Sequence, residues 1–524
     1  MVALMATLFA ASVYAEGGKE TGKPGQAAQT PAAPVEITMW LGKAVSEAGD
    51  PPADWALYKA AKEKFNIDLK ISWLPSTLGD QDSKINTAAA ANQLPDFMLV
   101  NRETWVRLAK MGLLGKTDGM LQYMPTRTKQ FMAEPIDKAV VSYKGAMYGL
   151  PTPGAMPRVE GMVIRKDWLD KLGLKVPVTL DEFYAVAKAF TEKDPDGNGK
   201  NDTYGFGAYI EPTPTQGGLG PRFDWVLGAY GCAGTWDLSK TNFGLNVRKA
   251  GYPEALAYVN KLVAGGVIDP DWSNLKKDEF RARWKQGRFG IMWEQFAALA
   301  SASNYGPFDK NFPNGEWIVI NPPVGPKGLS SNGVDVANYR LYGISAKAQK
   351  EGKDKHIAQL LEWMSTEGYY LMGWGTEGVN YNKTAEGVPT AAAVGDKPAI
   401  AKENHYSNAT VTQARNLVFY NSPVELAARY PTFKTANGRT LGPLQYWEQF
   451  KKLPHTANWG SSLIDAPANA ADYNRFYNEN IIKFAGGQKP LTEWNDFLAG
   501  LDKLGAKEFE ATAKAKLEDL DLLQ

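Results

Sequence analysis

Between residues 35 and 100 the apolar pattern alternates between strand and helix periods, and this alternation constrains the fold more than any other feature. Val35-Glu-Ile-Thr-Met-Trp40 alternates as a half-buried strand does. A Gly/Pro-rich loop to Pro52 follows, then a helical stretch over 54–65, a strand over 67–73 and a helix over 80–91. The short apolar run Leu94-Pro-Asp-Phe-Met-Leu-Val100 then suits a buried parallel strand. A β-α-β-α-β order predicts an α/β fold, an open sheet covered by helices whose ligand crevice lies at the carboxyl ends of the strands. Trp40, Trp73 and Asn101 stand at those ends.

A second α/β unit begins around Leu150-Pro-Thr-Pro153, where the paired prolines suggest a crossover. The pattern predicts a strand over 159–164, helices over 166–172 and 179–190 (Thr179 and Glu182 forming a capping box), helices over 252–264 and 278–286, and a strand over 288–293. A Pro/Gly-rich connection over 321–328 precedes a strand over 339–344 and a helix over 356–372, and the chain from Tyr473 onward is mainly helical. Two lobes are therefore expected, one from 35–150 plus about 318–378, the other from about 151–317 plus 379–524, with several crossings between them. No repeat of 20 to 50 residues is present, which disfavours a solenoid or propeller.

Met1 to Ala15 is an apolar, small-residue stretch ending Ser12-Val13-Tyr14-Ala15, as a signal peptide does, although it lacks a basic start. Residues 16–34 are rich in Gly, Lys, Gln, Ala, Thr and Pro and read as a flexible linker. Export of a soluble, secreted or periplasmic protein is expected. The only cysteine, Cys232, is not placed for lipid attachment, and one cysteine excludes a disulfide framework or a multi-cysteine metal site. A net charge of +1 with interspersed signs leaves no electrostatic footprint for nucleic acid. The three histidines are widely spaced and offer little for a His-based metal site.

The phrases Leu94-Pro-Asp-Phe97, Val163-Ile-Arg-Lys-Asp-Trp-Leu-Asp-Lys-Leu-Gly-Leu174, Asp194-Pro-Asp-Gly-Asn-Gly-Lys-Asn-Asp202, Gln286-Gly-Arg-Phe-Gly-Ile-Met292 and Thr376-Glu-Gly-Val-Asn-Tyr381 span most of the chain. Their order and spacing resemble the type-1 extracellular solute-binding proteins, particularly the long subgroup that includes binding proteins for alginate and other acidic oligosaccharides. That resemblance implies the periplasmic-binding-protein fold with two lobes, a hinge and an interlobe cleft. It also implies a carbohydrate ligand, delivery by a monomer to the membrane subunits of an ABC permease, and no catalysis.

Asp194, Asp196, Asn198 and Asp202 place side-chain oxygens at loop positions 1, 3, 5 and 9, with Gly199 at the turn and the Lys200 carbonyl at position 7. Such oxygens suit Ca²⁺ in a structural role, and the same composition also builds a plain turn closed on its own backbone. Position 12 is Gly205, where an EF-hand has a glutamate. The resemblance implies a calcium loop with an acidic residue just after the last aspartate. Thr203 stands there, which lowers the expected affinity or leaves a position to water.

Sugars need flat aromatic platforms and a few convergent polar groups. Among 16 Trp and 23 Tyr most are expected in the core, but position singles out Trp40, Trp225, Trp293 with Glu294, Trp374 and Tyr381. Asn101, Arg102 and Arg158 are candidate hydrogen-bond donors from opposite lobes, with surface salt bridges as the bland alternative. A secreted glycoside hydrolase or polysaccharide lyase shares much of this composition, and Glu294 with Glu377 is the carboxyl pair it would use. A peptide or amino-acid receptor on the same fold is a third reading.

Overall fold

The computed structural model describes residues 33–45, 48–75, 78–133, 135–152, 160–214, 217–335, 340–420, 422–458, 464, 467, 469–519 and 522–524. The expected signal segment and nearly all of the linker lie outside them. Among the described residues no helix is long and apolar enough to cross a membrane.

The first sheet runs Ile67–Leu74, Val35–Gly42, Phe97–Asn101, Arg340–Ile344, Gly149–Pro151. The first three strands are parallel, and Arg340–Ile344 runs antiparallel to both of its neighbours. Alternation along Val35–Gly42 buries Ile37, Met39 and Leu41 against Leu57 and Ala61 of helix Ala56–Phe65 and Ile357 and Leu361 of helix Lys353–Ser365. Helix Ala56–Phe65 stops where Asn66 turns left-handed at φ 53°, a conformation asparagine tolerates better than most residues.

The second sheet runs Trp317–Ile320, Glu160–Arg165, Phe289–Gln295, Tyr204–Gly207. It is buried on both faces, as its near-continuous apolar strands require. Phe190, Phe206 and Trp225 form part of one core, and Trp284, Phe308, Trp317 and Phe450 part of another. Gly161 admits the Phe450 ring so closely that a Cβ would lie 2.3 Å from it.

The expected pair of α/β lobes is present, but the crossings differ from those read in the sequence. The first leaves the first sheet after Thr152, and 153–159 lie outside the described residues. The segment 321–328 is no crossing. It lies on the second lobe, where Val324 N donates to Val178 O at 2.7 Å, and the chain stays there until Gly333–Asp335 pairs with Thr456–Asn458. Nor does the chain leave the first lobe near Gly375. The Gln413 amide donates to the carbonyls of Val45, Ala48 and Gly49 at 3.0–3.1 Å, and Trp55 Nε1 donates to Val411 O at 2.9 Å. Helix Pro423–Arg429 still packs against Tyr406, and only at Tyr430 does a ring meet the second lobe, 5.0 Å from Phe296. Most of these partners are more than about a hundred residues apart, so local patterning carries no trace of them.

Candidate ligand-binding cleft

The carboxyl edge of each sheet is where an open α/β sheet receives a ligand. On the first lobe Trp40 is half-buried with Lys84 Nζ 4.4 Å from its ring centroid, but its strand runs on to Gly42, so it lies inside the sheet and not at the strand end where its sequence placed it. Asn101 is the N-cap of helix Arg102–Lys110: its Oδ1 accepts from Thr104 N at 3.0 Å, and its Nδ2 donates to Asp82. Arg102 is buried, donates to Val140 O and lies over the Trp105 ring. Because the strand Arg340–Ile344 is antiparallel, its first residue is the one at this edge, and Arg340 donates to Gln81 Oε1 at 2.9 Å.

On the second lobe the edge carries linked charges. Arg222 donates to Glu211 at 2.6 Å, lies 3.9 Å from Glu294, and stacks over Tyr209 with its guanidinium carbon 3.7 Å from the ring centroid. Glu294 accepts from Arg281 through both oxygens at 3.1 and 3.2 Å and from Gln295 N at 2.8 Å. Burial raises the Tyr209 phenol well above its ordinary value; Arg222 opposes that shift, and Glu211, Glu294 and Glu160 add to it.

The other expected platforms are core. Trp225 is fully buried, donates to Arg222 O at 2.8 Å and meets Phe183 at 4.8 Å. Trp293 is 1% exposed within the second sheet. Trp374 and Tyr381 are buried in an aromatic cluster of the first lobe with Tyr406, Tyr369 and Tyr370. Arg158 lies outside the described residues. Cys232 is buried, and its thiol is pushed up to about 12 by desolvation, as for an inert side chain.

The loop at 194–202 closes on itself. Asp194 accepts from Gly197 N and Asn198 N at 3.0 Å and from Gly199 N at 2.9 Å, which holds its carboxyl below the usual range. Asn198 Nδ2 donates to Asp196 at 2.9 Å and to Asp202 at 3.1 Å, Lys200 N donates to Asn198 Oδ1 at 2.8 Å, and Arg288 lies 3.4 Å from Asp202. Two carboxylates, Asp196 and Asp202, thus meet on the Asn198 side-chain amide, while Asp194 is taken up by backbone N–H groups; oxygens of this kind suit a hard cation in their chemistry. Among the described residues, no three His, Cys, Asp or Glu side chains are already grouped to hold a metal.

The sequence profile of the bacterial extracellular solute-binding proteins matches residues 45–370. The chain belongs to that family. This solute-binding protein is 29% identical over 386 residues to the polygalacturonan/rhamnogalacturonan-binding protein YtcQ of Bacillus subtilis, a match covering 71% of this chain and 73% of that one. The fold is that of a solute-binding protein from Bifidobacterium longum infantis described as HMO-binding and associated with an ABC transporter: TM-score 0.67, 18% identity, 94% of this chain and 100% of the other. It is also that of the S. pneumoniae ABC-transporter substrate-binding protein FusA, solved as an EF-hand mutant with fructo-nystose: TM-score 0.62, 16% identity, 93% and 100%.

Sequence reasoning missed Tyr209, Glu211, Arg222, Gln81 and Arg340 at the cleft edges of this solute-binding protein. Tyr209 and Glu211 follow the strand Tyr204–Gly207, whose glycines at alternate positions hide its period. Arg340 opens a strand whose antiparallel direction cannot be read from its own residues. Arg222 lies three residues before Trp225, in a segment where only the aromatic drew attention.

Proposed function

We propose that this solute-binding protein closes its lobes on an oligosaccharide outside the cytoplasm, acts as a monomer, and delivers the sugar to the membrane subunits of an ABC importer in the periplasm or at the cell surface. The observation that carries the reading is the pairing of two unlike edges. A partly buried indole with a lysine over it stands on one lobe, and partly exposed carboxylate and guanidinium groups stand on the other, which is the mixture a sugar's C–H face and hydroxyl rim require. The polygalacturonan, HMO and fructo-nystose ligands named for the similar proteins support it. Thermal-shift and calorimetric measurements with oligogalacturonates and fructo-oligosaccharides test it, together with solution scattering. Binding with a smaller radius of gyration and no product is expected; cleavage of the sugar overturns it.

Hydrolysis finds no support in Glu294 and Glu377. Glu377 lies between Lys397 at 2.6 Å and Lys383 at 3.4 Å, which hold its carboxyl below the usual range, whereas a general acid needs it raised.

The 194–202 loop in this reading takes up a structural Ca²⁺ through Asp194, Asp196, Asn198, the Lys200 carbonyl and Asp202. That the similarly folded FusA has an EF-hand, the element altered in its solved mutant, supports it. A chelator is expected to lower the melting temperature and Ca²⁺ to restore it, and an unchanged melt with no metal by elemental analysis refutes it.

A further inference from the structure

The charges at the second lobe's edge form a chain in the order Glu211, Arg222, Glu294, Arg281. Its two inner members are 0% exposed, while the end members keep 35% and 20% of their side chains open to solvent. The inner carboxylate is fully engaged, with Arg281 on both oxygens and Gln295 N as a third donor. The inner guanidinium is not. Among the described residues neither Nε nor Nη2 of Arg222 finds a hydrogen-bond acceptor, and the Tyr209 hydroxyl beneath it finds no partner either.

Burying a guanidinium with most of its donors unmatched opposes folding, and an apolar side chain of similar volume would avoid the penalty. What Arg222 does accomplish is local. Stacked on Tyr209 and drawn toward Glu294, it presents Nη1 in one direction and holds the Glu211 carboxylate at 2.6 Å. A side chain held in one orientation before the ligand arrives is what a specific binding site requires.

We propose that Glu211 is a specificity-determining contact of the cleft, a fixed acceptor for hydroxyl groups of the sugar, and that buried Arg222 is its positioning residue. The assignment rests on the carbohydrate reading and deepens it: the ligand unit bound at this point is uncharged and hydroxyl-bearing, because a ligand carboxylate would face the Glu211 carboxylate with no proton to donate to it.

Tetrameric fructo-oligosaccharide, oligogalacturonate and carboxyl-reduced oligogalacturonate are the probes, titrated calorimetrically into the native protein, Glu211→Gln and Arg222→Met. A probe that binds the native protein is expected to bind Glu211→Gln about ten- to a hundredfold more weakly, the range for a hydrogen bond to a charged group. Arg222→Met is expected to weaken the same probe while melting no lower than the native protein, since Glu294 keeps Arg281 and Glu211 keeps water. Native affinity in Glu211→Gln overturns the contact. An Arg222→Met protein that melts far below native yet binds normally makes Arg222 a brace and overturns its positioning role. If none of the probes binds the native protein, the carbohydrate reading itself falls, an outcome separate from both.

Discussion

The two cleft edges obey one topological rule and use their polar side chains in opposite ways. At the first lobe's edge Asn101 and Arg102 turn inward, one capping a helix and the other bound to a backbone carbonyl, so the groups that look like ligand donors serve the fold. At the second lobe's edge the buried members of a charge chain hold up its exposed ends. Standing at a strand end is therefore not sufficient for a contact residue. A side chain is available to a ligand only when neighbouring backbone groups have not already claimed it.

The comparison breaks most visibly at tryptophan. Trp225→Ala removes a fully buried indole packed on Phe183 and Phe206, and a stability loss of about 3–5 kcal/mol is expected from denaturant unfolding. The folded fraction should bind ligand normally. Lost affinity at native stability would move Trp225 from the core to the cleft.

Trp40→Ala sharpens the same contrast from the other side. Its ring is only partly buried, two residues before the end of its strand, so affinity for the bound oligosaccharide should fall by about 1–3 kcal/mol, as for an anchoring aromatic. The loss of stability should be smaller than for Trp225. Calorimetry and melting on both variants decide it, and unchanged affinity in Trp40→Ala removes the platform from the first lobe.

Much of the fold was legible. The alternation over 35–100 yields three parallel strands of the first sheet, and the Thr179/Glu182 capping box appears as read. What was hidden depended on distance in sequence. The Gln413 amide ties its segment to the first lobe, and Asp224 accepts from Gly333 N at 2.5 Å on the second, so the first lobe holds more chain and the second less than the local patterns suggested. The site was less legible because aromatic residue type does not report burial. Trp40 and Trp374 both end apolar segments, yet only Trp40 keeps a solvent face, since Tyr369, Tyr406 and Phe419 close over Trp374.

Asn101→Ala tests the inward-turned edge directly. Loss of an N-cap costs about 1 kcal/mol, within a range of roughly 0.5–2 kcal/mol, and the Asp82 carboxylate also loses its Asn101 donor. A lower unfolding midpoint with unchanged sugar affinity is expected. Weaker binding at unchanged stability would restore Asn101 as a ligand donor and erase the difference between the edges.

The smallest effect concerns pH and separates the lobes by their response to acid. His405 lies on the first lobe, its ring centroid 4.3 Å from that of Tyr406, with Nδ1 2.5 Å from Ser407 Oγ and accepting from Ser407 N at 3.3 Å in the neutral ring. Burial, followed by the Arg415 charge, lowers its pKa below the ordinary 6.5. The unfolded chain therefore takes up the proton first as pH falls. The stability tied to neutral His405 is present above about pH 6.5 and is lost as the pH drops through the folded-state value. Because the ring is only partly buried, the slope should be shallow. It should appear as faster amide exchange at Tyr406, whose N–H donates to Asn380 O at 3.0 Å, while amides in the strand Phe289–Gln295 stay protected. His405→Gln should flatten the dependence at Tyr406. Equal acceleration in both lobes, or a slope that survives the substitution, would show that acid loosens the molecule as a whole and not through this ring.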